Sequence, residues 1–217
     1  MKLEEAARRV QNFEDGSLTK KLSNLEHIFK GMGAIQAKEL CATNKLDANL
    51  LSASFELKKL AGQINVVIHA AGILASLPSL LIEGEKIEYL SLGAGNTGKQ
   101  FDLETTHRIA EFKFINWKGG SESIRQNSLF KDFFGLAEEE TEKDKYLYVL
   151  GIEKPLKFFN GKRKLSSVMS KNIALQSKFI SIYALRFSIV NEYYKFRENN
   201  VKLVDIAPVL PELIEII

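Results

Sequence analysis

Apolar positions recur at helical spacing through the first eighty residues and then switch to a period of two. Leu18, Leu22, Leu25, Ile28 and Phe29 share a helical face, and Ser17 stands where an N-cap is needed. Leu50, Leu51, Phe55, Leu57 and Leu60 open a second helical stretch from about residue 47. The apolar run 66–81 continues it, with Pro78 and Gly84 marking the exit. The longest apolar stretch, residues 64–82, is interrupted by Asn65, His69, serines and Pro78, which predicts a buried helix rather than a membrane span. Residues 86–92 then alternate as a strand, followed by glycine-rich residues 93–99 and two further alternating stretches.

Trp117-Lys118-Gly119-Gly120 closes the last of these, and Ser121 is a candidate cap for a helix to about residue 138. Phe130, Phe133, Phe134 and Ala137 form its packing face. The charged run 138–145 predicts a solvated connection, and residues 146–150 a buried strand ended by Gly151. Beyond the basic loop 160–164, one long helix is expected over 173–197. Its stripe is Phe179, Ile182, Tyr183, Phe187, Val190 and Tyr194.

Chemistry concentrates between residues 101 and 113, Phe-Asp-Leu-Glu-Thr-Thr-His-Arg-Ile-Ala-Glu-Phe-Lys. Strand alternation puts Glu111 and Lys113 on one face with Ile109, and Ala110, Phe112 and Phe114 on the other. Asp102 and Glu104 share a face of the preceding strand. With the turn at Thr106-His107, Asp102 faces Glu111 and Glu104 faces Ile109. Opposed residues have Cβ atoms roughly 4.5–5.5 Å apart, where like charges destabilise the pair. A divalent cation reverses that sign, since Mg²⁺ takes carboxylate oxygens together with water and phosphate. A one-residue slip of register would dissolve the constellation.

The arrangement Asp102…Glu111-Phe112-Lys113 resembles the active-site signature of the PD-(D/E)XK nucleases, the restriction-endonuclease-like superfamily. The resemblance covers roughly residues 50–151, and Phe101 stands where the family's name pattern has proline. It implies a three-layer α/β/α core with a mixed central sheet, αβββαβ, carrying extra N- and C-terminal helices. The chain is then one domain, 1–217: a helical extension 1–49, a core 50–151, and a basic loop with C-terminal helices 152–217. It further implies that Asp102, Glu111 and the backbone carbonyl of Phe112 bind Mg²⁺, with Mn²⁺ able to substitute, and that Lys113 assists the attacking water. Glu104 is a candidate for a neighbouring contact. Glu56 is the nearest candidate for the acid that many members carry on the first core helix.

Nucleic acid, DNA foremost, is the implied partner, and Arg125 and Gln126 are candidate phosphate contacts. Lys162, Arg163 and Lys164 form a basic cluster able to track a phosphate backbone. Phe158 and Phe159 beside it suit either base stacking or core packing. The expected activity is metal-dependent phosphodiester hydrolysis. The alternative is a nuclease-like nucleic-acid-binding or protein-interaction module without turnover.

Composition narrows the picture modestly. The 217 residues are 45% hydrophobic and 26% charged with a net charge of +3, as expected of a globular chain whose partner can be polyanionic. A single cysteine, Cys41, excludes an intramolecular disulfide; it is expected to be a buried thiol. The opening residues lack an apolar leader, so a cytoplasmic protein is expected, without a membrane partner and with a homodimer open. Residues 93–100 nearly spell a P-loop, but Gln100 replaces the needed hydroxyl and no helix pattern follows. His27, His69 and His107 are too scattered for a zinc set. His69 is expected as a core histidine.

Overall fold

The structure, a computed structural model, describes residues 1–14, 16–93, 100–114 and 122–211. The chain divides into two compact units, Met1–Asn65 and Val66–Ile217. The division falls inside a long helix.

The first unit is helical: α1 (Leu3–Glu14), α2 (Leu18–Phe29), α3 (Ala34–Thr43) and the start of α4 (Ala48–Leu80). Ser17 caps α2 as expected, its Oγ accepting the Lys20 N–H at 3.5 Å. The Asp47 carboxylate likewise accepts the Leu50 N–H at 2.9 Å at the start of α4. Cys41 is partly exposed rather than buried.

The second unit begins with the rest of α4 and builds one sheet. Its strands are β1 (Ile87–Leu90), β2 (Leu103–Thr105), β3 (Arg108–Lys113), β4 (Asp144–Val149) and β5 (Lys202–Asp205), in that spatial order. β1, β2 and β3 pair antiparallel, whereas β3, β4 and β5 pair parallel. Between them lie α5 (Glu122–Ala137), α6 (Glu153–Phe159), α7 (Leu165–Met169), α8 (Ile173–Tyr183) and α9 (Val190–Arg197). The result is an α/β fold around a five-stranded mixed sheet.

Strand alternation divides the core in two. Ile109, Leu147 and Val149 pack against Phe130, Phe133 and Phe134 of α5 and against Phe159, Phe179, Tyr193 and Tyr194. Leu103, Ala110, Phe112 and Tyr148 face the other way and meet Ile73 and Leu77 of α4. Phe158 and Phe159 are both buried, which settles their role as packing and not base stacking.

Four expectations are corrected. α4 is not a buried helix. Ala53, Ile73, Ser76 and Leu77 are buried, but Leu51, Phe55, Ile64, Val67, Ile68 and Leu74 are exposed. By length and composition alone it could cross a membrane. The long helix over 173–197 is instead α8 and α9, broken where Ala184 takes a left-handed φ of 51°. Glu192 restarts the helix by accepting the Ser188 and Ile189 N–H groups at 2.7 and 3.2 Å. Residues 138–145 are not simply solvated. Glu138 accepts the hydroxyls of Tyr183 and Tyr193, both at 2.7 Å, and pairs with Arg197 at 2.9 Å. Lastly, the expected helical tail contains a strand, β5. The Asp205 side chain that ends it accepts the Gly151 and Ile152 N–H groups at 3.0 and 3.2 Å, tying the strand to the exit of β4.

The glycine-rich residues 94–99, Trp117-Lys118-Gly119-Gly120 and the expected cap Ser121 lie outside the described residues.

Candidate active site

The β2–β3 register is the one that a turn at Thr106-His107 gives. Leu103 pairs with Ala110 and Glu104 with Ile109 across the Thr106-His107 turn. Asp102 is the residue before β2, so the next pair outward brings it level with Glu111. The Asp102 Oδ2 atom accepts the backbone N–H of Phe112 at 2.9 Å, which fixes the carboxylate beside the Glu111-Phe112-Lys113 segment. It is thus the amide of Phe112 that the structure brings to Asp102.

Two residues that the sequence pattern does not assign to the site complete it. From α4, His69 Nε2 lies 3.3 Å from Asp102 Oδ1, and the imidazole meets the Phe114 ring edge-on at a centroid distance of 6.3 Å. From α5, the Asp132 carboxylate lies 2.6 Å from Lys113 Nζ. Asp132 is only 8% exposed, although it stands among the phenylalanines of a packing helix. Burial of an ionisable group is costly unless it is paired, and Lys113 is that pair.

Three carboxylates therefore share a half-closed site with one ammonium and one imidazole. Burial would raise the Asp102 carboxyl, but the hydrogen bonds from His69 and the Phe112 N–H overcome it and hold the group below the usual carboxylate range. Glu111 goes the other way. Burial first, then the negative charges of Asp132 and Asp102, push it up to about 10, and the protonated carboxyl hydrogen-bonds to Asp102. Burial works against the Lys113 ammonium, yet Asp132 and then Glu111 hold its pKa above the ordinary lysine value. The site carries a surplus of negative character that it relieves by keeping a proton on Glu111.

The other candidates are placed as follows. Glu104 pairs with Lys143 at 2.9 Å, and that lysine also holds Glu88 at 2.6 Å. Glu56 belongs to the first unit; the α4 residue that reaches Asp102 is His69. His107 Nδ1 bonds to Thr106 Oγ1 at 2.8 Å within the turn. Arg125 and Gln126 lie in the first turns of α5, and the Arg163 guanidinium donates to Gln126 Oε1. Two segments separate in sequence thus meet, the N-terminal part of α5 and the basic loop carrying Lys162, Arg163 and Lys164.

Among the described residues no three His, Cys, Asp or Glu side chains stand ready as a metal-ligand set. The donor chemistry still suits a hard cation. Two adjacent carboxyls, those of Asp102 and Glu111, are oxygen donors of the kind Mg²⁺ takes. Comparison of the chain with family models, with curated proteins and with solved structures gives no match.

Proposed function

We propose that this chain is a metal-dependent nuclease of the PD-(D/E)XK, restriction-endonuclease-like kind, hydrolysing phosphodiester bonds of nucleic acid with DNA as the favoured substrate. The observation that carries the reading is the hairpin register that brings Asp102 level with Glu111, with the Asp102 carboxylate fixed by the Phe112 N–H at 2.9 Å. Two carboxyls facing each other across a hairpin repel unless a proton or a cation stands between them, and a divalent cation supplies that positive charge. The order α4, β1, β2, β3, α5, β4, with antiparallel strands followed by parallel ones, also suits a three-layer α/β/α core of that family.

Asp102 and Glu111, with the Phe112 carbonyl, are the groups that would hold Mg²⁺ or Mn²⁺. Such an ion supplies positive charge toward a phosphate and makes water more acidic. His69 and the Phe112 N–H orient the Asp102 carboxylate. Lys113 presents a permanent ammonium next to the acids, suited to steady an attacking water and to offset phosphate charge. Lys162, Arg163 and Lys164 provide a cationic surface for the backbone of the substrate, with the Gln126 amide beside Arg163, and Arg125 is a further candidate there.

A second reading, a nucleic-acid-binding module without turnover, is favoured by one observation. Both Asp102 oxygens are already engaged, by His69 and by the Phe112 N–H. Incubation of the purified protein with linear, circular and single-stranded DNA and with RNA, with and without Mg²⁺ or Mn²⁺, separates the two. Metal-dependent cleavage that disappears in Asp102→Ala and Lys113→Ala, both folded, is the expected result. Binding without cleavage under every condition selects the second reading.

A further inference from the structure

α5 is a packing helix. Leu129, Phe130, Phe133, Phe134, Leu136 and Ala137 are all buried, and a carboxylate in that company needs a reason. Asp132 has one charged partner at bonding distance, the Lys113 ammonium at 2.6 Å. The pair does not hold α5 onto the sheet for want of other contacts, because Phe130, Phe133 and Phe134 already pack against Ile109, Leu147 and Val149. Replacing such an ion pair by apolar residues often leaves a protein as stable or more so. What the pair does achieve is to fix where the positive charge sits.

We propose that Asp132 is a positioning residue, which draws the Lys113 ammonium toward α5 and so keeps it from closing on the Asp102–Glu111 carboxyl pair. The claim rests on the metal-dependent reading above and adds a part to it. Beyond Asp132, the carboxyl groups beside the Lys113 ammonium are those of Glu111, on the same strand, and of Asp102, level with Glu111 across the hairpin. Without Asp132 the lysine turns to them, and an internal ammonium then occupies the place of an external cation. Lys113 has the reach for this, since Glu111 lies two residues away on the same strand face. With Asp132 present, cation and ammonium stand side by side instead of competing.

The test uses the full chain in four forms: wild type, Asp132→Asn, Lys113→Met, and the double variant, with Asp132→Glu as the conservative fifth. Thermal unfolding checks that each is folded. The neutral double variant carries no buried charge imbalance and keeps the comparison usable if Asp132→Asn alone is unstable. Three readouts follow: the slowly exchanging ammonium signal of Lys113 in ¹⁵N NMR, Mn²⁺ binding by EPR, and single-turnover cleavage of linear DNA.

Asp132→Asn is expected to lose the ammonium signal, to weaken Mn²⁺ binding by about 10–100-fold, the range seen for groups that orient metal ligands, and to slow cleavage while leaving DNA affinity unchanged. Asp132→Glu recovers part of each loss. The double variant binds Mn²⁺ no worse than Lys113→Met, because Asp132 acts through the lysine. Wild-type binding and cleavage together with an unaffected Asp132→Asn, or losses that multiply in the double variant, overturn the positioning claim alone. Wild-type protein that neither binds Mn²⁺ nor cuts DNA overturns the metal reading, and this claim falls with it.

Discussion

The side chain of Asp102 accepts the backbone N–H of Phe112 at 2.9 Å, so the first acid of the site is bonded to the peptide that joins Glu111 to Phe112. One hydrogen bond thereby couples strand register to the chemistry. If the pairing slipped by a residue, both the bond and the facing of the two acids would go together.

That bond separates two substitutions at one position. Asp102→Asn keeps an oxygen acceptor for the Phe112 N–H and is expected to unfold within a few degrees of wild type while losing metal-dependent cleavage. Asp102→Ala leaves the amide without its partner and is expected to cost a further ~1–3 kcal/mol. Thermal melts read beside cleavage assays distinguish the two. Equal melting temperatures for both variants would show that the bond contributes nothing to the fold.

Glu111 gives a prediction in pH. Its carboxyl titrates near the ordinary glutamate value of 4.5 when unfolded and at about 10 when folded. The raised folded value means that its contribution is fully present below the unfolded pKa. It is lost progressively as pH rises toward the folded one, because the unfolded chain releases the proton first. Over that window an ionisable Glu111 costs stability in the metal-free protein. Glu111→Gln is therefore expected to melt higher than wild type at pH 8, by several degrees, with the gap shrinking toward pH 5, and to abolish cleavage. Melting curves across pH 5–9 without metal check it; a gap that widens in acid contradicts it.

Gly72 lies on α4 where a Cβ would stand 2.6 Å from the Phe114 ring. That ring also touches His69 and stacks on Phe112 at a centroid distance of 6.0 Å. Gly72→Ala must push the ring aside, at a cost of about 1–3 kcal/mol. Since His69 moves with the ring, cleavage is expected to fall more than stability alone explains. A variant with wild-type melting and activity would show that Phe114 swings away freely.

Removal of the basic loop charges should act on every sequence alike. The triple variant Lys162→Ala, Arg163→Ala, Lys164→Ala is expected to bind DNA more weakly. It should also flatten the dependence of log K on log salt by about 0.9 for each phosphate no longer neutralised. Filter binding from 50 to 300 mM salt measures the slope. An unchanged slope places the substrate elsewhere.

Some of this is legible in the sequence and some is not. The faces of the hairpin are, because alternation over residues 101–113 puts Leu103, Ala110 and Phe112 on apolar faces, while the register follows only once the turn is set at Thr106-His107. The capping of α2 by Ser17 is local and equally readable. Asp132 is not, since which turn of α5 lies over Lys113 is set by tertiary packing that helical periodicity does not encode. His69 reads as a core histidine because nothing in an apolar helix announces that one of its positions meets a strand end. β5 is four residues long, too short for alternation to stand out from the helices around it. The break at Ala184 violates the rule that left-handed residues are glycine or asparagine, so periodicity runs through it unchecked.

The attachment of Asp205 to Gly151 and Ile152 means that the sheet cannot be excised at the end of β4. A recombinant fragment stopping near residue 151 would strip β4 of its outer neighbour and leave a row of unpaired peptide groups, an invitation to self-association. Expression boundaries for this protein should run past residue 210, because the last strand is the selvedge that keeps the weave from fraying.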